Sequence, residues 1–530
     1  MHTYQKVGLC LLLGTSLSST AWGSGKVDSP VVPISTGDVQ GTEQDGVVAF
    51  LGIPYAKPPI GSLRWRAPQP LTAWTGVKKV DSFASDCMQK PFEGDAAPMG
   101  TQPSEDCLYL NVWKPAAKSD QKRPVMVWIY GGGYVNGGSS TAIYNGESFA
   151  KSGVVMVSFN YRVGRFGFFA HPALTAEAGK DEPLGNYGYM DQIAALKWVK
   201  ENIHQFGGDD NNITVFGESA GGASVLDLMA SPAAQGLFNK AIVMSGGGRG
   251  SLLPMRDLSS SHNGLASAET VGIDFAKSMG ITDTGAQGLE KLRALPASKI
   301  VDGLNMGSMA GSNTYVGGPI RDGKIVINPA SQRFAEGKQA KIPLIIGATN
   351  ADLGFPTTEN KDEIFNSFGA EKEKARAIFD PNGHLSGQEL AATIARERMM
   401  IEPARNIARL VSATNIPVYA YRFSYVAETM RKEWPGAPHA SELPYMFKTL
   451  PARFGNNVTQ SDFVTSNALH DYWVDFAKTG HPTASNLAEW PVYSPTSDKL
   501  LDFGDHHIQV VQDPIKAQLD LIAETSSVKE

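Results

Sequence analysis

The pentapeptide Gly217-Glu218-Ser219-Ala220-Gly221 is the part of the chain whose residue types point most directly to chemistry. It lies between a short β-branched run, residues 213–216, and an apolar segment, residues 223–229, that suits a helix. Glycines on both sides of Ser219 permit a sharp strand-to-helix turn that holds the hydroxyl out, while helix N–H groups face developing negative charge. In a chain with 55 glycines the pentapeptide alone also has a chance interpretation. Its position between strand and helix favours a serine that attacks a carbonyl.

A serine hydroxyl is a weak nucleophile at neutral pH, so it needs a histidine base and a carboxylate that orients the base. Asp352 follows the apolar run 343–346, and His439 lies downstream of the run 418–423. A lone aspartate in a loop is usually a solvated turn residue, so the choice of Asp352 depends on the other motifs. The competing histidines, for which packing or surface roles are the default, are His384, His470 and His481. The order Ser219, Asp352, His439 is the α/β-hydrolase order and differs from the chymotrypsin and subtilisin orders.

Three successive glycines follow the apolar run 125–129 and are candidates for binding a substrate oxygen. Glycine lets bare backbone N–H groups approach an oxyanion closely, and we assign the donors to Gly132, Gly133 and Ala220. The alternative is a flexible turn. Polyglycine directly after a buried strand costs backbone entropy, however, and a close approach to substrate explains why it is there.

The elements that must position these groups are predicted from apolar runs between helical segments. The runs are residues 125–129, 154–157, 213–216, 241–244, 343–346 and 418–423. Residues 192–203 have apolar side chains spaced for the inner face of a crossover helix, which makes a βαβ unit ending at Ser219. This spacing predicts an α/β fold with a large, mostly parallel twisted central sheet flanked by helices. Residues 251–313 lack strand runs, and we expect them to form helical and loop insertions over the active-site edge.

Length and composition indicate one large, well-packed unit. The chain has 530 residues, 42% of them hydrophobic and 19% charged, and no linker divides it. We therefore expect residues 24–530 to form a single domain. The net charge of −6 offers no basic surface for nucleic acid or anionic lipid.

The first 23 residues are typical of a secretory signal peptide. Lys6 precedes a short apolar run, and small side chains flank Trp22 at a cleavage site, while no later segment is apolar enough to span a bilayer. We therefore expect a secreted or periplasmic protein without stable membrane insertion. Cleavage removes Cys10 and leaves Cys87 and Cys107, an even pair that suggests one disulfide. Two unpaired buried thiols are the alternative.

Several motifs together resemble the type-B carboxylesterase family, which includes cholinesterases and bacterial para-nitrobenzyl esterases. They are residues 50–56, 63–66, 105–113, 130–134, 160–162 and 216–222. The resemblance covers most of the mature chain and implies the α/β-hydrolase fold. It also implies that Cys87 and Cys107 form a disulfide, that Glu218 is a buried acid beside the nucleophile, and that Ser245 helps to support it.

Three positions depart from the family pattern. The family's acid is usually glutamate, and Asp352 is one methylene shorter, so its reach to the histidine is in question. Arg165 stands where relatives usually have an apolar residue, and Arg249 follows a glycine run. Either arginine is a candidate for binding a substrate carboxylate. The alternative is a surface arginine or one paired with a structural acid.

The sequence thus predicts a secreted serine hydrolase that cleaves small-molecule carboxylic esters through an acyl-enzyme, without a metal or organic cofactor. A cholinesterase-like binding protein that has lost catalysis is the rival from another class, although retention of serine, histidine and an acid argues against it. An amidase or a lipase that uses the same triad is a closer rival. Neither the natural ester nor the oligomeric state follows from the sequence.

Overall fold

The structure is a computed structural model that describes residues 27–249, 254–262 and 264–526. The predicted signal peptide, residues 1–23, lies outside the described residues. Within those three ranges, no helix has the length and apolar character that a bilayer-crossing segment requires.

The strands fall into one large sheet and two small ones. In chain order the described strands are β1 Val27–Asp28, β2 Val32–Ile34, β3 Gly37–Gln40, β4 Thr42–Gln44, β5 Val47–Pro54, β6 Val77–Lys79, β7 Tyr109–Pro115, β8 Arg123–Ile129, β9 Val155–Phe159, β10 Gly208–Glu218, β11 Lys240–Met244, β12 Arg256–Asp257, β13 Ile320–Arg321, β14 Leu344–Thr349, β15 Val418–Phe423, β16 Lys499–Phe503 and β17 Ile508–Gln512. The large sheet has 12 strands in the order β1-β4-β5-β7-β9-β8-β10-β11-β14-β15-β16-β17. The others are β2-β3-β6 and β12-β13.

The centre of the large sheet is parallel and its two margins are antiparallel. Every pairing from β9 to β16 is parallel. The pairings from β1 to β9, and that of β16 with β17, are antiparallel. The predicted α/β fold is confirmed, and each predicted apolar run overlaps a strand of the parallel centre, with Val154 and Pro343 one residue before β9 and β14. The sheet as a whole is mixed. The predicted runs cover only its parallel centre, so the antiparallel margins were not predicted.

Helices cover the sheet and connect its parallel strands. In chain order they are α1 Glu147–Lys151, α2 Gly164–Gly167, α3 Pro172–Glu177, α4 Tyr187–Asn202, α5 Ala220–Ala230, α6 Ala268–Ser278, α7 Ala286–Arg293, α8 Ala297–Ile300, α9 Ala330–Ala335, α10 Lys361–Asn366, α11 Lys372–Phe379, α12 Gly387–Arg396, α13 Glu402–Ser412, α14 Leu443–Met446, α15 Leu450–Phe454, α16 Gln460–Thr479 and α17 Lys516–Ser526. A π-helical segment, Glu397–Ile401, joins α12 to α13. Short 3-10 helices are Gly61–Leu63, Ala142–Tyr144, Ile203–Phe206, Pro232–Ala234, Met309–Gly311, Gly369–Glu371 and Glu428–Met430.

The crossover helix α4 begins at Tyr187, before the predicted start at residue 192. Its first turns are buried on every side, so they lack the one-sided apolar spacing that marks an amphipathic helix. Asp191 in this part is fully buried and accepts hydrogen bonds from the guanidinium of Arg162 at 2.8 Å. A buried charge is tolerated when it is paired in this way, and the pair fixes α4 against the loop that follows β9.

The described part of the predicted insertion, residues 251–313, contains α6, α7 and α8 with connecting loops, and also the two-residue strand β12, which was not predicted. Its aromatic anchor is Phe275, whose ring lies 5.9 Å from that of Phe169 in an edge-to-face arrangement. Farther along, the backbone N–H of Met306 donates to Asn136 Oδ1 at 2.8 Å. The insertion therefore reaches the loop that follows β8, at the carboxyl edge of the parallel strands.

Candidate active site

Ser219 occupies a strained turn between the end of β10 and the start of α5. Its φ and ψ are 56° and −126°, a conformation that L-residues rarely adopt. A Cβ on Gly217 would lie 2.5 Å from a backbone atom of Gly221, and one on Gly221 would lie 2.0 Å from the carbonyl oxygen of Ile129. Both glycines are therefore sterically required. The Ser219 N–H donates to the carbonyl of Met244 at 2.9 Å, which ties the turn to the neighbouring strand β11.

His439 and Asp352 come from loops that follow neighbouring strands, β15 and β14. Ala351 pairs with Pro438 in a parallel bridge, which holds the two loops side by side. His439 Nδ1–H donates to Asp352 Oδ1 at 2.6 Å. The shorter aspartate thus reaches the imidazole directly. The tautomer with hydrogen on Nδ1 leaves a lone pair on Nε2.

Asp352 has its other hydrogen-bonding positions filled. Oδ2 accepts from Ser245 Oγ at 2.6 Å and from the Thr349 N–H at 3.0 Å, and Oδ1 also accepts from the Leu353 N–H at 2.6 Å. Burial by itself raises the pKa of Asp352, but the charge and hydrogen bond of His439, together with Ser245, leave the pKa below its ordinary value. The carboxylate is therefore ionised and fixed in orientation. Ser245 thus hydrogen-bonds the acid of the pair.

Two further carboxyl groups act on the imidazole. Glu218 Oε1 lies 3.2 Å from His439 Nε2, although neither atom makes a hydrogen bond. Glu442, one turn after His439, is fully buried, and neither of its carboxylate oxygens has a hydrogen-bond partner among the described residues. Sequence reasoning missed Glu442. The only available signal was its position three residues after the histidine.

The pKa values in this cluster follow from burial and from the crowding of carboxylates. Burial raises the pKa of Glu218 to about 7, and burial with the charge of Glu218 raises the pKa of Glu442 well above its ordinary value. Burial opposes the charged imidazole, but Glu218 and Asp352 outweigh it and raise the pKa of His439 above 6.5. Glu218 is thus an electrostatic neighbour of the histidine as well as of the serine.

The glycine-rich loop after β8 packs directly on the serine turn. A Cβ on Gly131 would lie 2.9 Å from Ser219 Cβ, and one on Gly132 would lie 2.3 Å from the carbonyl oxygen of Asn136. Gly132 and Gly133 have φ values of 101° and 62°. Within the described chain, none of the N–H groups of Gly132, Gly133 and Ala220 donates a hydrogen bond to another residue. These unused donors lie beside the nucleophile. Sequence reasoning did not single out Gly131, whose need for a small side chain is purely steric.

Ser219 and His439 line one cavity of about 340 Å³. The glycine-rich loop lines it, Met306 and Met309 come from the insertion, and Leu353 comes from the loop after β14. Another wall is the segment 92–97, which lies within the ring that the disulfide closes. The lining is mostly apolar, as is usual for small-molecule sites.

The two arginines predicted as carboxylate binders are engaged in the fold. Arg165 is 4% exposed, and its guanidinium donates to the carbonyls of Ile300, Asp302 and Thr314. It is absent from the lining of the cavity that holds Ser219. These contacts tether the insertion to the loop after β9, and they correspond to the structural alternative given for Arg165. Arg249 forms a bidentate ion pair with the buried carboxylate of Glu402, as the alternative of a structural arginine predicted. Its side chain lines a different cavity.

Cys87 and Cys107 are joined in a disulfide across a separation of 20 residues. Gln89 lies just inside this ring and binds the glycine-rich loop. Its Oε1 accepts from the Gly137 N–H at 2.9 Å, and its Nε2 donates to the Gly137 carbonyl at 2.6 Å. The amide of Asn136 donates to the same Oε1 at 3.1 Å. The disulfide ring is thus connected to the loop that contacts Ser219.

Comparison with known proteins identifies the family. Residues 28–393 and 387–522 match the model of the carboxylesterase family. The chain belongs to this family. The carboxylesterase described here is 35% identical over 488 residues to the fumonisin B1 esterase of Sphingopyxis macrogoltabida, covering 88% of this chain and 85% of the relative. It is 34% identical over 505 residues to the para-nitrobenzyl esterase of Bacillus subtilis (strain 168), covering 91% of this chain and 96% of the relative.

A solved structure of a PNB esterase superimposes on this carboxylesterase with a TM-score of 0.79 and 31% sequence identity, covering 93% of this chain and 99% of the other. The predicted family and the α/β-hydrolase fold are confirmed. The carboxylesterase is accordingly a carboxylic-ester hydrolase.

Proposed function

We propose that this carboxylesterase is a secreted serine hydrolase, with a single domain over residues 24–530, that cleaves small-molecule esters through an acyl-enzyme. The observation that carries the proposal is one cavity lined by both Ser219, held out on a strained turn, and His439, held by Asp352. A nucleophile, a base and a group that orients the base are the parts that acyl transfer by a serine requires.

In the proposed mechanism the Ser219 hydroxyl loses its proton to Nε2 of His439 while Oγ bonds to the ester carbonyl carbon. Nε2 has no hydrogen-bond partner among the described residues, so it is available to accept that proton. The imidazolium then passes the proton to the leaving alcohol as the tetrahedral intermediate collapses. Water, deprotonated by His439, releases the acid and regenerates Ser219.

The stabilisation of the negatively charged tetrahedral intermediate is assigned to hydrogen bonds from the N–H groups of Gly132, Gly133 and Ala220. Support comes from their unused hydrogen-bonding capacity and from the close packing of the glycine-rich loop on the serine turn. Ala220 is the first residue of α5, where the helix dipole also favours negative charge. Loss of a single donor of this kind typically costs about 3 kcal/mol of transition-state stabilisation.

Covalent labelling tests the nucleophile. The wild type is expected to lose activity on reaction with an organophosphate and to gain the label on the peptide that contains Ser219. Ser219→Ala is expected to lower kcat on a 4-nitrophenyl ester by about 10⁵-fold or more and to take up no label. Ser119→Ala, which changes an exposed serine between β7 and β8 that does not line the cavity, is the matched control. Full activity or labelling in Ser219→Ala would overturn the proposal.

Export is tested separately from catalysis. The disulfide is typical of an oxidising compartment. Expression of the full chain in a bacterial host is expected to place active enzyme outside the cytoplasm, with a mature N-terminus at residue 24 by mass spectrometry. An intact N-terminus on enzyme recovered from the cytoplasm would contradict secretion and leave the catalytic assignment unaffected.

A further inference from the structure

A second cavity, of about 410 Å³, lies beside the one that contains Ser219. Phe355 lines both cavities and is 54% exposed. It belongs to the loop that begins with Asp352, so the boundary between the cavities is part of the catalytic loop. The rest of the second cavity comes from the residues that follow β11, from α10 and α12, and from the π-helical segment.

Arg398 is the cationic side chain of this cavity whose charge no ion pair with a described residue compensates. It lies in the π-helical segment Glu397–Ile401, a rare irregularity that is frequent at functional sites. Its guanidinium stacks on the ring of Phe368 at 4.3 Å, and Nη1 donates to the neutral hydroxyl of Ser367 at 3.1 Å. No carboxylate of the described residues forms an ion pair with it. The contacts hold the guanidinium in place without neutralising it.

The other charged groups of the lining leave Arg398 as the group available to an anion. Arg249 is neutralised by its pair with Glu402. Glu363 also lines the cavity, and its carboxylate accepts a hydrogen bond from Thr358 Oγ1 at 2.6 Å but has no cation within ion-pair distance among the described residues. Glu363 therefore opposes an anion in the cavity, which makes it a useful probe of charge there.

The remaining lining is largely apolar. Ile364, Ala391, Ile394 and Met399 contribute aliphatic surface to the cavity that Phe355 and Arg398 also line. Such a surface suits the hydrocarbon spacer of a bifunctional substrate rather than a hydrated ion alone. One unneutralised guanidinium matches one carboxylate, with which arginine forms two parallel charge-assisted hydrogen bonds.

We propose that this second cavity binds a free carboxylate carried by the ester substrate, with Arg398 as its anion-binding residue and Phe355 beside the connecting spacer. The proposal deepens the function above and rests on it, because the ester group must lie at Ser219. The favoured substrate class is an ester whose acid or alcohol part ends, beyond an apolar spacer, in an ionised carboxyl group.

The experiment compares two series of 4-nitrophenyl esters on the full-length enzyme. One consists of monoesters of straight-chain dicarboxylic acids of increasing length, and the other of esters of the same length that end in a methyl group. The wild type is expected to prefer the carboxylate member at one chain length. Arg398→Gln is expected to lower kcat/KM for that substrate by about tenfold or more, because a charge-assisted hydrogen bond is lost, and to leave the methyl-ended ester nearly unchanged.

Glu363→Gln is expected to have the opposite effect to Arg398→Gln on the carboxylate ester if the charge of the cavity determines the preference. It removes the opposing carboxylate and is expected to raise kcat/KM for the carboxylate ester by about twofold to fivefold without affecting the neutral ester. Arg376→Gln is the matched control, because Arg376 is a nearby surface arginine that also stacks on a phenylalanine but does not line the cavity.

The outcomes separate this inference from the proposed function. Absence of any preference for carboxylate esters in the wild type, or an equal effect of Arg398→Gln on both series, would overturn the carboxylate site while hydrolysis at Ser219 stands. If Arg398→Gln fails to fold, the wild-type preference and Glu363→Gln still decide the matter. Hydrolysis that persists in Ser219→Ala would instead overturn the proposed function.

Discussion

His439 lies among acidic side chains that set the pH at which it becomes a base. Asp352 contacts one nitrogen at 2.6 Å, and Glu218 approaches the other at 3.2 Å. A negative neighbour favours the charged imidazolium, so the pKa of His439 lies above its ordinary value. Only the neutral imidazole accepts the serine proton. On the acid side, kcat/KM should therefore begin to fall at a pH above 6.5, which is the ordinary pKa of a histidine.

Glu218→Gln should move this acid limb of kcat/KM toward lower pH. Removal of the nearby charge lowers the pKa of His439, and because the base is then neutral at lower pH, the limb of kcat/KM is expected about one pH unit lower than in the wild type. The measurement is a pH profile of kcat/KM on a neutral ester. Glu147→Gln, at an exposed glutamate, is the control. An unmoved limb in Glu218→Gln would contradict the electrostatic role given to Glu218.

The proposed nucleophile and acid–base pair could be named from the sequence, whereas the partners of charged side chains could not. Gly-x-Ser-x-Gly implies a particular backbone turn, and that turn is local in sequence. The partners of Arg165 and Arg249 come from residues 135 and 153 positions away. Glu442 likewise becomes noticeable only through its burial without a hydrogen-bond partner. No local pattern encodes such distant contacts.

The glycine-rich loop, α4 and α5 are joined by a buried polar chain. Tyr134, directly after the glycines, has its hydroxyl 3.0 Å from that of Tyr189 on α4, which donates to Asp227 Oδ2 on α5 at 2.6 Å. Burial raises the pKa of Asp227 to about 6. The chain connects the loop that carries Gly132 and Gly133 to the helix that carries Ala220. It thus sets the spacing of the three proposed oxyanion donors.

Tyr189→Phe should loosen this connection without touching substrate. The ring remains but the hydroxyl is lost, which leaves Asp227 and Tyr134 without their shared partner. We expect kcat to fall by about tenfold with little change in KM, since the donors act mainly in the transition state. Tyr472→Phe, which removes a tyrosine hydroxyl on α16 that donates to the Ala488 carbonyl, is the control. A rise in KM alone would point to a role in binding instead.

The elements differ in how far the sequence predicts them. Parallel strands buried on both faces are continuous apolar runs, and all six predicted runs overlap such strands. In the antiparallel margin, β1 and β4 are short strands with mixed residues, whose assignment depends on neighbours in space, whereas β5 is a long apolar strand that the six predicted runs did not include. The start of α4 was missed for a related reason. Its side chains are buried all round, so burial and not periodicity determines its sequence.

For the molecule as a whole, the disulfide links stability to catalysis. It closes a ring of the chain that includes Gln89 and the cavity wall at 92–97. Through its hydrogen bonds to Gly137 and Asn136, Gln89 holds the loop that packs on the nucleophile. The ring therefore contributes to the shape of the active site and not only to the entropy of the unfolded chain.

The double variant Cys87→Ser/Cys107→Ser should lose both stability and catalytic rate. A ring of this size is worth about 3 kcal/mol in the free energy of unfolding, measured by urea denaturation. We also expect a lower kcat in the folded variant, because Gln89 is no longer fixed. Gln89→Ala, which keeps the disulfide, should reproduce the loss of kcat with a much smaller loss of stability. Unchanged kcat in both variants would confine the disulfide to a structural role.

The backbone conformation of Ser219 places catalysis in competition with thermal stability. An L-residue held at φ 56° and ψ −126° costs about 1–3 kcal/mol, a cost that glycine avoids. Ser219→Gly is therefore expected to melt at a higher temperature than the wild type while being inactive. Ser219→Ala, equally inactive but with its Cβ intact, should melt close to the wild type. The enzyme would then be one whose nucleophile lowers the melting temperature of the fold that carries it, as in other proteins that trade stability for activity.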